Sequence, residues 1–281
     1  MKLGIAVCPH VSSFPYIVYN GGSMDQALAK CREFGYEGVD LFAGYLAGDE
    51  VRALADLFRK HGIEVVNFLP ISLSATGSSF SDVVESRRLS YVAGYEREMD
   101  NAAIFGTRYM PIGFSRGLRA QDRSWKHYYS TLSDSVERLS EYGESRGVTL
   151  CLEPINRFEV NTLNTTMECL EFLNDYKLDR TMLLLDQFHM NIEDSDPLAA
   201  IRASKGRIGH FHAADSNRCG AGKGHCDFDA LIETLSEIGY DGYLSMEAKP
   251  IGVPDACAKE CAEFLGPKLA ARRATTRAKG L

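Results

Sequence analysis

The sequence predicts a single (β/α)8 barrel, the TIM-barrel architecture, and three observations carry that prediction. Short β-rich apolar runs alternate with amphipathic helical stretches eight times along the 281 residues. Gly35, Gly62, Gly106, Gly147, Gly206 and Gly239 each close a helical stretch just before the next run, the position where glycine takes a left-handed turn without steric cost. The turn after the first run, Cys8-Pro9-His10, lacks the GxGxxG pattern that a doubly wound open sheet would carry there.

The elements follow in order. The strand runs lie at 3–8, 38–42, 63–69, 108–112, 148–153, 181–186, 207–213 and 242–247. The helical patterns lie at 24–34, 49–61, 82–105, 122–146, 165–176, 196–205, 227–238 and 254–272. The chain opens Met1-Lys2 and runs straight into LGIAVC, which reads as a strand and not as the apolar core of a signal peptide. Ser23 is placed to cap the first helix, with Gln26 three residues on as its capping-box partner. Asp196-Pro197 puts an N-cap residue before a proline at the first helical position. FGYEGVDLF at 34–42 resembles IGYDGYLSM at 238–246, each reading as a helix end, a glycine turn and an entering strand. No linker or composition break divides the chain. Residues 1–266 are expected to form the catalytic barrel, and 267–281 a basic tail, the frayed end of the last helix.

Composition removes several function classes. With 45% hydrophobic and 25% charged residues, the chain has ample apolar surface to bury. The net charge of −7 and pI of about 5.6 exclude nucleic acid as the main partner, because phosphate binding needs a basic face. The one basic stretch is the tail, where Lys268, Arg272, Arg273, Arg277 and Lys279 stand without an acid. No apolar run approaches the ~18 residues that span a bilayer, so no membrane partner is expected. The 8 cysteines are scattered without a CxxC pair, as suits reduced thiols in a cytoplasmic protein.

Barrel chemistry collects where strands end, and the last four strand ends are unusual. They carry Glu153 in LEPINRFE, Asp186 in LLLDQFHMNIED, His212 in GHFHAADSNR and Glu247 in YLSMEAKP. Neighbouring members are 33, 26 and 35 residues apart, about one strand–helix unit each. A lone acid at a strand end usually caps or pairs, and a lone histidine in an apolar strand is usually core. Three carboxylates and an imidazole on one rim repel unless a cation sits among them. The oxygen-rich set suits Mn²⁺, Mg²⁺ or Co²⁺. His210, two residues before His212, faces the same side one layer deeper and reads as structural.

These segments resemble the xylose isomerase-like sugar isomerase and epimerase superfamily. They are most similar to its D-tagatose 3-epimerase, or ketose 3-epimerase, group. The matching signatures are LEPINRFE, LDQFHMNIED, HFHAADSNR followed by GKGHCDF, and the glutamate at the eighth strand end. The resemblance implies that Glu153, Asp186, His212 and Glu247 bind one divalent metal, typically Mn²⁺. It implies that Glu153 and Glu247 are catalytic and carry protons, and that Glu159, His189 and Arg218 contact substrate oxygens near C1 to C3. The expected reaction is epimerisation of a ketose at C3 through a cis-enediolate, on a small sugar, by a dimer or tetramer of the chain.

Site chemistry by itself leaves neighbouring readings open. An aldose–ketose isomerase would use the same enediol logic between C1 and C2. A sugar-phosphate enzyme would need a phosphate clamp, for which Arg116, Arg119, Lys223 and the serine-rich loop 69–80 are candidates. A C-glycoside deglycosidase acting on 3-keto glycosides, and a non-catalytic sugar-binding barrel, are further alternatives. A DNA-repair endonuclease of the same superfamily is disfavoured, since the second, third and fourth strand ends supply no histidine. The loops at the front of the barrel depart from the ketose-epimerase pattern. Phe14 and Tyr16 lie beyond the first strand, and Gly113, Phe114, Ser115 and Arg116 follow the fourth.

Overall fold

A computed structural model describes residues 1–44, 46 and 48–278, with only the helical backbone course described for 274–278. Eight parallel strands close on themselves: β1 (Lys2–Cys8), β2 (Gly38–Ala43), β3 (Glu64–Pro70), β4 (Tyr109–Ile112), β5 (Thr149–Leu152), β6 (Met182–Asp186), β7 (Ile208–His212) and β8 (Tyr243–Met246). Each pairs with the next, and β8 returns to β1 through Lys2↔Tyr243 to Ile5↔Met246. A short extra strand, Tyr19–Asn20, lies beside the end of β1. The chain thus forms a closed (β/α)8 barrel, and every strand run read from the sequence coincides with one of its staves.

The helices form the outer ring: α1 (Met24–Phe34), α2 (Gly48–His61), α3 (Glu85–Phe105), α4 (Trp125–Glu144), α5 (Thr166–Asp175), α6 (Gln187–Glu193), α7 (Pro197–Ala203), α8 (Phe228–Glu237) and α9 (Pro254–Ala278). Their apolar stripes explain their docking. On α2, Val51, Leu54, Ala55 and Phe58 recur at helical spacing and are buried, with acids in the first turn and bases in the last. All six helix-end glycines have positive φ, from 62° to 89°. Ser23 Oγ accepts from the Gln26 N–H at 3.4 Å, while both bonds of a capping box are made at α5, between Thr165 and Glu168. Asp196 caps α7 with Pro197 at its start.

Two features differ from the sequence reading. Helix α6 was not anticipated: it follows β6 without a loop, because Asp186 is at once the last residue of the strand and the N-cap of the helix. The last helix continues past residue 266, as its expected span of 254–272 implies, and runs to Ala278 with Pro267 inside it; the difference lies in its basic end. Its basic residues are tied back to the body: Lys268 pairs with Asp229 at 2.8 Å, and Arg273 reaches Glu37 and the Met1 carbonyl at 2.7 Å each. The Arg277 side chain and Lys279 lie outside the described residues.

The barrel interior is not wholly apolar. Asp40, Asn67, His210 and Ser245 point inward from four strands and are fully buried. Gly4 makes room for them: a Cβ there would stand 2.6 Å from Ser245 Oγ. All eight cysteines are free. Among the described residues no helix is long and apolar enough to cross a membrane.

Candidate active site

The strand ends bring the four predicted ligands to one place. Glu153 and Glu247 each follow the last residue of their strands, β5 and β8, whereas Asp186 and His212 end β6 and β7. All four are buried. Glu153, Asp186 and His212 offer ligand atoms that lie within 4.8 Å of one another. Glu247 joins them through Oε2, 3.4 Å from His212 Nδ1. Asp186 divides its two oxygens between structure and site. Oδ1 accepts the Phe188 N–H at 2.9 Å and starts α6, leaving Oδ2 to face the cluster.

The three further residues converge on the same cluster. His189, on α6, places Nε2 3.8 Å from Asp186 Oδ2 and 3.9 Å from Glu153 Oε1. Its Nδ1 faces two donors of Asn156, the side-chain amide at 2.8 Å and the backbone N–H at 3.4 Å. A backbone N–H can only donate, so Nδ1 is the acceptor and the neutral ring carries its proton on Nε2, which faces the two carboxylates and also the Arg218 Nη1 at 3.3 Å. The Asn156 amide also donates to Glu159 Oε1 at 2.7 Å, which sets Glu159 at the mouth. Arg218 donates through Nη1 to Asp186 Oδ2 at 2.6 Å and pairs through Nη2 with Glu247. Its guanidinium lies 4.6 Å from the Tyr16 ring and 4.7 Å from the Phe188 ring.

Asp40 was not identified from the sequence as a site residue. Its Oδ1 stands 2.8 Å from His210 Nε2 and its Oδ2 3.1 Å from His212 Nε2. A carboxylate on Nε2 keeps a proton of His212 there and turns Nδ1 toward the acids, where it would offer a lone pair to a cation once its own proton is lost. That Nδ1 is buried without a hydrogen-bond partner, beside three carboxylates. A buried imidazole nitrogen left unpaired in an oxygen-rich set fits a hard divalent cation.

Electrostatics separate the groups. Burial pushes the Glu153 carboxyl up to about 8 and Asp186 up to about 6. Burial opposes ionisation of Glu247 too, but Arg218 and His212 beside it hold it below the usual carboxylate range. His189 is kept well below its ordinary value by burial and by the Arg218 charge, so it is neutral. His212, despite burial, is raised by Glu247 and Asp40. The two glutamates therefore differ in protonation at neutral pH, as an acid–base pair requires.

A cavity of about 350 Å³ opens above this cluster. Glu153, Glu159, His189, Arg218 and Glu247 form its polar side, and Phe14, Phe42, Leu69, Ile71 and Phe114 its apolar side. A larger hollow of about 510 Å³ opens at the opposite end of the barrel and holds none of the candidate groups. The candidate phosphate clamp is not formed. Arg116 is fully buried and donates to the Glu153 carbonyl at 2.5 Å. Arg119 donates to the carbonyls of Ala120, Gln121 and Arg123, and Lys223 pairs with Glu260 at 2.6 Å. Side chains this long bind whatever polar group folding brings near, and here that group is backbone or a neighbouring acid.

The family model described as xylose isomerase-like TIM barrel matches residues 28–267. The chain belongs to this family. Its relatives include the L-ribulose 3-epimerase of Mesorhizobium japonicum, 32% identical over 230 residues, which cover 80% of this chain and 75% of that one. The 3-dehydro-D-guloside 4-epimerase of Escherichia coli is 26% identical, over 78% of this chain and 84% of its own. A solved structure of L-ribulose 3-epimerase superposes with a TM-score of 0.81 at 26% identity, covering 100% of this chain and 98% of that one. These family members are isomerase-class enzymes that act on sugars.

Proposed function

We propose that this protein is a divalent-metal-dependent epimerase of an unphosphorylated ketose, inverting C3. The observation that carries the reading is the pair Glu153 and Glu247, on strands β5 and β8, both reaching the Asp186–His212 cluster from separate sides of one cavity. Ketose 3-epimerases among the relatives support the same chemistry. Glu153, Asp186, His212 and Glu247 are the residues that would hold the cation, Mn²⁺ by resemblance, with Mg²⁺ or Co²⁺ as substitutes. Bound there, a divalent ion supplies Lewis acidity to the substrate's carbonyl and lowers the acidity barrier at the neighbouring carbon.

The chain's own residues do the rest. Glu247, held ionised by Arg218 and His212, takes the C3 proton. Glu153, reaching the cavity from the β5 side, is placed to return one from the other face. Inversion requires two such groups, since a single base would restore the original configuration. The His189 Nε2–H and the Arg218 guanidinium donate to the oxygens on which charge develops. Glu159, fixed by Asn156, accepts from a substrate hydroxyl. Among the described residues, the cavity lining has no lysine and no second arginine, which supports an uncharged sugar. Eight free cysteines support a reducing, cytoplasmic setting, and a homodimer or tetramer is expected from the resemblance.

Proton NMR in D₂O tests the reading. The Mn²⁺-loaded protein is incubated with a panel of free ketoses, with Glu247→Gln as control. Deuterium at C3 together with the C3 epimer is the expected result. Label at C1 or C2 with an aldose product would move the assignment to isomerase. Exchange confined to a 3-keto glycoside would move it toward the reaction named for the E. coli relative or to a lyase. Metal binding without exchange on any sugar would leave the sugar-binding alternative.

A further inference from the structure

Arg218 is held in an unusual way. Its backbone is left-handed, with φ of 61°, a conformation that a non-glycine residue keeps only when its surroundings impose it. It lies in the loop between β7 and α8, residues 213–227, which contains Gly220, Gly222 and Gly224. A loop so rich in glycine has little stiffness of its own.

The stiffness comes from one side chain. Asp215 is fully buried, and no cationic side chain among the described residues pairs with it. Its Oδ1 accepts the N–H groups of Ser216 at 2.7 Å and Cys226 at 3.1 Å, and its Oδ2 accepts that of Gly222 at 2.9 Å. The carboxylate thus fastens both ends and the middle of the loop. The backbone of Asp215 closes the turn on Arg218 itself: Arg218 N donates to the Asp215 carbonyl at 2.8 Å, and Asp215 N to the Cys219 carbonyl at 2.9 Å. Gly224 is required beside it, because a Cβ there would stand 2.3 Å from Asp215 Oδ1. From this frame the Arg218 carbonyl accepts the Lys249 N–H at 2.8 Å, two residues past Glu247, which aligns the guanidinium with that glutamate.

We infer that Asp215 is a positioning residue for the reaction, the anchor through which the loop presents Arg218 to Asp186, Glu247 and the substrate. The inference rests on the reading of Arg218 as a substrate contact, but part of its test does not. A buried carboxylate held only by peptide N–H groups serves geometry, since it has no path of its own to the cavity. Ser216, whose Oγ accepts the His225 N–H at 3.1 Å, and Asn217, which donates to the Lys223 carbonyl at 2.8 Å, stitch the rest of the same loop.

The test uses the Mn²⁺-loaded full chain and the variants Asp215→Ala, Asp215→Asn, Arg218→Ala and the double variant Asp215→Ala/Arg218→Ala. The first readout is labelling of Arg218 by phenylglyoxal, followed by peptide mass spectrometry, which needs no turnover. Arg218 is expected to be protected in the natural protein, labelled about tenfold faster in Asp215→Ala and intermediate in Asp215→Asn, which keeps one acceptor oxygen. Unchanged protection in Asp215→Ala would overturn the inference. Should the alanine variant fail to fold, the asparagine variant decides by the same measure. The second readout is kcat/KM, expected to fall about 10- to 100-fold in Asp215→Ala, with the double variant no worse than Arg218→Ala alone. Losses that multiply would show that Asp215 acts elsewhere and also overturn it. If the natural protein turns over no ketose, the functional reading fails and labelling alone decides the role of Asp215.

Discussion

Replacing Asp40 isolates the part of the site that lies below the cation. Its two oxygens meet the Nε2 atoms of His210 and His212 at 2.8 and 3.1 Å, and its side chain is shielded from water. In Asp40→Asn both contacts lose the charge: one histidine faces the amide oxygen and the other the NH2 group, which donates and cannot accept an Nε2–H. A contact to a charged group contributes about 1.5–3 kcal/mol, so the loss on the His212 side is worth about a factor of 10 to 100 in metal affinity. Stability of the metal-free protein should fall too, by about 1.5–3 kcal/mol, because the raised His212 keeps Glu247 but loses its second buried acid. The assay is titration calorimetry with Mn²⁺ on the stripped protein, paired with thermal unfolding with and without metal. The expected outcome is weaker binding together with a metal-dependent gain in Tm smaller than in the natural protein at the same Mn²⁺ concentration. Binding of Mn²⁺ to Asp40→Asn within twofold of the natural affinity would refute the argument that Asp40 orients His212.

Three other outcomes follow from the same geometry. Metal uptake should expel protons: burial raises Glu153 to about 8, and Glu247 and Asp40 raise His212 despite its burial, so at pH 7 about two protons leave on loading, and near pH 6 and below Asp186 adds to them. Apparent affinity then rises by more than about tenfold per pH unit between 6 and 8; calorimetry in buffers of different ionisation enthalpy, showing no proton release at pH 7, would contradict it. Glu247→Gln should lower kcat by about 10²- to 10⁴-fold, as for loss of a proton-transfer group, and deuterium wash-in should fall in parallel; retention of full exchange would remove Glu247 from proton transfer. Thr165→Ala deletes the hydroxyl that caps α5, where Thr165 Oγ1 accepts the Glu168 N–H at 3.1 Å, and should cost about 1 kcal/mol of stability with kcat unchanged, read by chemical unfolding and steady-state kinetics.

Much of the site was legible because barrels place chemistry by a simple rule. Glu153, Asp186, His212 and Glu247 recur once per strand–helix unit at the rim, and that period is visible in the primary sequence. His189, Glu159 and Arg218 follow close behind those strand ends, so the same rule brings them near. Asp40 escaped because GVDLF reads as a buried strand with one acid in it. Only barrel closure sets that acid against His210 and His212, and no local pattern announces a contact across the barrel. The acid at a second strand end was the available signal. Asn156 and Asp215 were hidden for a related reason: each lies inside a recognised motif, but its partners are backbone or ring nitrogens that sequence spacing does not reveal. Helix α6 was read as loop because its seven residues are too few for a period to show, and its N-cap had already been spent as a strand end. Arg116 misled in the opposite direction, since an arginine after a strand looks like a rim cation until burial turns it onto the Glu153 carbonyl.

The asymmetry between the two glutamates follows from where the single cavity arginine is anchored. Glu153 and Glu247 are alike in burial and in their reach to the cluster, so their own strands do not tell them apart. Arg218 pairs with Glu247 and with Asp186, and this, with His212, holds Glu247 ionised while Glu153 keeps its proton. The guanidinium reaches that position from the β7 loop, and the loop is joined to the segment after Glu247 through the Lys249 N–H. An arginine anchored instead on the β5 side would lower Glu153 and exchange the two protonation states. The loop that carries Arg218 therefore sets which of the two glutamates is ionised in the metal-free protein. Substitutions that loosen this loop should bring the two glutamates of the metal-free protein toward a common pKa without moving the strands that carry them.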